Sequence, residues 1–258
     1  MSALADATWP EVEAGAAADV TMLIVPLGAT EQHGPHLPLG TDADIADHLA
    51  RLAAERVPGA VVAPALPFGS SGEHQGFAGT LSIGAACTEL VLVELGRSAS
   101  ETFDRLLYLN AHGGNAAPLA AATERLRSEG RDVRAWSPRF GGDAHAGRTE
   151  TSLMLALSPE RVRGRPNPPI APERSTAERQ PPERTTAEGD AIAAAGNDAP
   201  LSELIGRLRT EGVRAVSPNG VLGDPSGASA AEGRALLAAA ADDLCAAVRA
   251  WPPAEVAA

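Results

Sequence analysis

Short apolar runs alternate along this chain with longer stretches of helical period, and that alternation restricts the fold more than any other feature. TMLIVPLG (21–28) reads as a strand, DADIADHLARLAAERV (42–57) as a helix and GAVVAPALPFG (59–69) as a second strand. ACTELVLVELGRSASETF (86–103) carries a helical apolar stripe, DRLLYLNAHGG (104–114) is a strand running into a glycine turn, and NAAPLAAATERLRSEG (115–130) is a helix closed by Gly130. DVRAWSP (132–138) supplies one more strand. This repetition predicts an α/β fold with a mostly parallel sheet and helices on both faces. The length of 258 residues fits a single domain spanning 1–258 around one large core. Sites in such sheets form beyond the carboxyl ends of the strands, where GATEQHGPH and NAHGGN both fall.

After a helix around TETSLMLALSP (149–159) the composition changes. From about 160 to 200 the chain is rich in Pro, Arg, Glu, Thr and Ala with almost no large apolar residue, which predicts an extended, partly mobile excursion. AAEGRALLAAAADDLCAAVRAW (230–251) returns to helical period and is expected to pack on the sheet.

The formal net charge is -12, and all 21 basic residues are Arg. Nucleic acid and anionic membrane surfaces, both bound through dense positive charge, are therefore not expected partners. No apolar stretch approaches the ~20 residues of a membrane helix, and the expected location is cytoplasmic. Cys87 and Cys245 lack metal-site spacing, and both are expected as small core residues.

Five of the six histidines (His33, His36, His74, His112 and His145) lie in glycine-rich, loop-like text beside other polar groups, whereas His48 sits in ordinary helical sequence. Glu31 and His33 are two apart, so in an extended segment their side chains leave on one face. Asp42 returns after a loop restricted by two prolines, His112 arrives from another strand end, and Glu150 offers a last carboxylate. Two imidazoles and three carboxylates suit divalent Zn, Mn or Fe(II) better than a structural thiolate zinc, and so many anions point to two ions sharing a carboxylate. Asp42 has an alternative reading as the N-cap of the following helix, where Asp44 and Asp47 would favour the helix start. His36 is oddly spaced from Glu31 and is expected to fix the loop from the opposite face. Glu73 and His74 either line a substrate cleft or hold a glycine-rich loop.

ATEQHGPHLP followed by Asp42, then SGEHQGFAGTLSIG, NAHGGN, HAGRTETSLMLALSP and GVLGDPSGASAAEGR, resembles the creatininase family of metal-dependent amidohydrolases, in order along the chain. The resemblance implies that Glu31 and His112 bind one metal, that His33 and Glu150 bind the other, and that Asp42 bridges them. It implies two divalent ions (Zn, Fe(II) or Mn) per subunit, in a homo-oligomer. Glu150 and His145 are then the catalytic pair, with His145 steadying an oxyanion, delivering a proton to the leaving nitrogen, or orienting Glu150. Two departures matter: the family's last carboxylate lies two residues after the motif histidine, where this chain has Gly114, and the family's tryptophan four residues before His145 is Gly141. Loss of that aromatic wall points to a larger substrate. Within the family, the text is most similar to the branch that trims a modified ribosomal precursor peptide near its C-terminus, releasing a core derived from a terminal Val-Tyr pair. A cyclic-amide hydrolase or deformylase with the same metals, and a non-catalytic metal-stabilised assembly protein, are the alternatives.

Overall fold

The computed structural model describes residues 3–18, 20–164 and 194–251. Four strands, β1 (Met22–Leu27), β2 (Ala60–Val62), β3 (Arg105–Asn110) and β4 (Asp132–Trp136), form one sheet in the order β2-β1-β3-β4. Every pairing is parallel, with Met22 opposite Ala60 on one side and Arg105 on the other. Helix α1 (Trp9–Ala17) precedes β1, and α2 (Thr41–Arg56), α3 (Ala85–Ala99) and α4 (Ala116–Ser128) cross between strands. Then come α5 (Arg148–Leu157), α6 (Leu201–Glu211), the short α7 (Val213–Val216) and α8 (Ala230–Arg249).

Alternation along the central strands divides the core. Met22 and Ile24 of β1 and Leu107 and Leu109 of β3 face α2, α5 and α8, where Leu49, Leu153, Met154 and Leu244 are buried. Leu23, Val25, Leu106 and Tyr108 face α3 and α4, against Leu92, Leu119 and Leu126. Each such side chain contributes about 1.5–3 kcal/mol on full burial. β1 tolerates Pro26 because its missing N–H lies on the side where β2 has ended; there its carbonyl still accepts the N–H of Leu66 at 2.9 Å.

Two expectations are corrected. The run 59–69 is a strand only over Ala60–Val62, because Pro64 and Pro67 cannot donate to a ladder, and the rest follows β1 through an isolated bridge between Leu27 and Leu66. Cys245 is buried, but Cys87 is exposed, since α3 buries Thr88, Leu92, Val93, Gly96 and Ala99 instead. The start of the excursion is anchored: Val162 is buried, and Arg163 donates its backbone N–H to the His36 carbonyl at 2.8 Å. Residues 165–193, where most of the expected mobile stretch falls, lie outside the described residues. Among the described residues no helix is long and apolar enough to cross a membrane.

Candidate metal centre

Adjacent parallel strands β1 and β3 end side by side, so the segments leaving them meet. Gly28 lets the first turn of α2 close on the end of β1, since a Cβ there would lie 2.4 Å from the backbone nitrogen of Ala43. That approach carries Asp42 inward. The N-cap of α2 is Gly40, and Asp42 makes no capping bond, which removes the cap reading. After Gly28 the chain loops back on itself, with the Glu31 N–H bonded to the Leu39 carbonyl at 3.0 Å and a bridge between His33 and Leu37. Asn110 holds the turn after β3 by donating to the His112 carbonyl at 2.8 Å. Glu150 stands in the first turn of α5 and accepts the N–H of Ala146 at 2.6 Å. Ala146 has φ 53°, and its buried left-handed backbone turns that N–H onto the carboxylate.

Glu31, His33, Asp42 and His112 are all buried, and Glu150 is partly buried. The two oxygens of Asp42 face different imidazoles: Oδ1 lies 3.1 Å from His33 Nε2 and Oδ2 lies 3.1 Å from His112 Nδ1. Glu31 Oε1 is 3.4 Å from His112 Nδ1, and Glu150 Oε2 is 3.8 Å from His33 Nε2. Donor atoms of Glu31, Asp42 and His112 fall within 4.8 Å of one another, as do those of His33, Asp42 and Glu150, so Asp42 belongs to both groups. A third group joins Glu31, His33 and His145.

The charges are strongly coupled. Burial and the Asp42 charge push Glu31 up to about 8. Burial opposes protonation of His33 and His112, yet Asp42, Glu31 and Glu150 around them outweigh it, holding His33 at about 10 and His112 at about 9. Burial also raises Asp42, but the same two imidazoles overcome it and hold the carboxyl far below its usual range. Burial raises Glu150 as well. Such a cluster takes protons where it could take cations. Glu31 Oε2 is buried with no hydrogen-bond partner among the described residues, and Asp42 Oδ2 has none of good geometry although His112 Nδ1 stands 3.1 Å away. Orphaned carboxylate oxygens beside imidazole nitrogens are the donor set of a Zn, Mn or Fe(II) centre, and the residues present fit such ions.

The other expected residues take distinct places. His36 stands outside the ligand groups; its Nε2 meets Thr151 Oγ1 of α5 at 2.8 Å, tying the loop to the helix that carries Glu150. His145 lies between His33 and His74, its ring tilted to both, with ring centroids 4.3 and 4.6 Å away. Burial and the His33 charge hold it well below its usual pKa. His74, expected either to line a cleft or to hold a glycine-rich loop, is buried on the 3-10 turn Gly72–His74, with Nε2 3.4 Å from Glu31 Oε1. Glu73 is partly buried, its Oε1 2.9 Å from where a Cβ of residue 114 would be. The same Cβ would lie 2.1 Å from the Ser70 carbonyl oxygen, so no side chain fits at Gly114 without a backbone shift.

Three residues escaped sequence reasoning. Gln32 is buried between His74 and His145. Ser71 Oγ approaches His112 Nε2 at 3.3 Å. Asp143 takes the N–H groups of Arg148 and Thr149 at the start of α5, steadying the turn that presents Glu150. Gln32 had a signal in its place between two ligand candidates; Ser71 and Asp143 act through folds of loop that no local pattern announces.

The sequence profile described as Creatininase: Creatinine amidohydrolase matches residues 5–248. The chain belongs to the creatininase family. It is 44% identical over 256 residues to a mycofactocin precursor peptide peptidase of Mycobacterium ulcerans, covering 95% of this chain and 87% of that protein. A protein of the same name from Mycobacterium tuberculosis is 47% identical over 242 residues, covering 90% and 86%. Among solved structures, a crystal structure of creatinine amidohydrolase superposes with TM-score 0.70 at 25% identity, covering 97% of this chain and 98% of that one. A zinc–zinc form of a mutant creatininase gives 0.71 at 26%, covering 98% and 100%. These similarities make the chain a creatininase-family hydrolase with a parallel α/β fold, and the family's structures include zinc and manganese forms.

Proposed function

We propose that this creatininase-family chain hydrolyses an amide bond near the C-terminus of a modified ribosomal precursor peptide, using two divalent ions per chain in a homo-oligomer. The names of its relatives at 44% and 47% identity support the peptide substrate. The observation that carries the metal half is Asp42, whose two oxygens face two separate donor groups. In this reading Glu31 and His112 hold one ion, His33 and Glu150 hold the other, and Asp42 bridges. When bound, the ions would supply Lewis acidity, activating water near neutral pH and polarising the scissile carbonyl.

The chain's own groups do the rest. His145 is kept neutral by burial and can accept a proton and pass it to the departing nitrogen, help typically worth ~10²–10⁴ in rate. The Ala146 N–H fixes the Glu150 carboxylate. Glu73, partly exposed at the edge of the cluster, lines the approach of the peptide. Gly141 is exposed and adds no wall, leaving room for a chain. The released product would be the core derived from a terminal Val-Tyr pair.

A cyclic-amide substrate is the second reading, favoured by 34% identity over 186 residues to a creatinine amidohydrolase of Pseudomonas putida. Mass spectrometry of the modified precursor peptide, before and after incubation with zinc-loaded protein, separates the readings. A shortened peptide is expected, and Glu31→Gln should abolish it. An intact peptide beside turnover of creatinine would favour the second reading. Bound metal with no turnover of either compound would leave a scaffold.

A further inference from the structure

Gln32 lies between two ligand candidates in sequence, and its buried amide is fully engaged. Its Oε1 accepts the N–H of Gly34 at 2.8 Å, and because a backbone N–H only donates, that contact fixes which end of the amide is oxygen. Nε2 therefore faces three neighbours with two hydrogens: His74 Nδ1 at 2.9 Å, His145 Nε2 at 3.1 Å and the Gly220 carbonyl at 3.1 Å. The carbonyl can only accept, so it takes one hydrogen. His145 Nε2 also lies 2.8 Å from Gln32's own carbonyl oxygen, another group that can only accept, so His145 Nε2 carries a hydrogen and donates it there. A nitrogen that bears hydrogen cannot accept. The second amide hydrogen goes to His74 Nδ1, which must be bare.

We propose that Gln32 is a positioning residue that fixes the hydrogens of both rings, through its side chain for His74 and its main-chain carbonyl for His145. Both neutral rings then carry hydrogen on Nε2, but they present opposite ends to Glu31. His74 offers Nε2–H, 3.4 Å from Glu31 Oε1. His145 offers a bare Nδ1, 3.9 Å from the same oxygen and within the donor group of Glu31 and His33. A bare nitrogen suits a base or a metal ligand, and an N–H suits a donor to developing negative charge. His74 thus takes the donor role at the reacting centre, and His145 the lone-pair role. The functional part rests on the metal-hydrolase reading; the hydrogen assignment does not.

Long-range proton–nitrogen NMR of histidine-labelled protein reads the hydrogens directly, in metal-free and zinc-loaded samples, with His74→Asn and His145→Asn assigning the signals. Both rings are expected as Nε2–H forms in the wild type. In Gln32→Met no donor faces His74 Nδ1, and its signals should average between the two forms. In Gln32→Glu, read from pH 8 to 10, ionisation of the introduced carboxylate should give Nδ1 of His74 a hydrogen. His145 should stay unchanged in both, because its partner is main chain. Nδ1–H on either ring in the wild type overturns the proposal, and that reading is available even if a variant fails to fold. A folded pair of variants with His74 unmoved, or with His145 moving alongside it, overturns it too. Absence of zinc-dependent change at His33 and His112 would count against the metal reading alone, since the metal-free assignment remains.

Discussion

Replacing Asp42 with Asn removes one negative charge from the centre of the cluster while keeping the volume of the side chain. Asp42 is buried, and its oxygens stand 3.1 Å from His33 Nε2 and 3.1 Å from His112 Nδ1. In the metal-free chain it is a principal cause of the raised values of both imidazoles, about 10 and about 9. Breaking a buried charge pair costs about 3–5 kcal/mol, and because both rings can shed their protons the lower end applies. At about 2–4 °C per kcal/mol for a chain of this size, metal-free Asp42→Asn should melt roughly 6–12 °C lower. The effect on metal is larger. Residues that merely orient a ligand are worth about 10–100-fold in affinity, so one shared by two donor groups should cost at least ~100-fold at each. Zinc competition against a chromophoric chelator measures both. Asp42→Asn protein that still binds two zinc equivalents within about tenfold of wild-type affinity refutes the bridging reading, because outer partners alone account for that much.

The metal-free chain should lose stability as pH rises from 7 to 10. His33 and His112 have folded values above their unfolded ones, so their contribution is full below about 6.5 and is lost as pH passes about 9 and 10; Glu31, raised to about 8, adds its loss below that point. Melting temperatures across that window, with and without zinc, check this, and a metal-free curve that stays level or climbs would show that the imidazoles are not charged partners of Asp42. Asp143→Ala removes the acceptor for the first N–H groups of α5 and should cost about 0.5–2 kcal/mol in urea unfolding, with slower turnover through a looser Glu150. Unchanged stability would mean that water caps α5 equally well.

Much of this architecture was legible because strands buried on both faces leave continuous apolar runs and their crossover helices leave amphipathic ones. MLIVPL and RLLYLN became the two central strands. Glu31, His33, Asp42 and His112 could be singled out because strand ends gather ionisable groups into short glycine-rich text. Where the reading failed, spatial neighbours decided. Apolar content suggested a long strand at 59–69, but two prolines end the ladder at Val62. Cys87 looked like core from its residue type, yet the rotation of α3 turns it to solvent. His74 was visible, but its approach to Glu31 depends on a 3-10 turn between two loops. Gln32 is an ordinary amide in sequence and gains its importance only once His145, 113 positions away, is folded against it.

The crowding at Gly114 bears on how carboxylates could be exchanged between positions in this family. An acid introduced at 114 would put its Cβ 2.1 Å from the Ser70 oxygen and 2.5 Å from His112 Nε2, so it would displace an imidazole proposed to hold an ion. The segment around Ser70 must withdraw first, yet its carbonyl is also a partner of His112 Nε2, at 2.9 Å. With His112 and Glu150 as the proposed ligands, an acid placed at 114 would disturb the first before it could replace the second. Gaining a side chain at 114 thus takes a shift of the Ser70 backbone as well as the substitution itself.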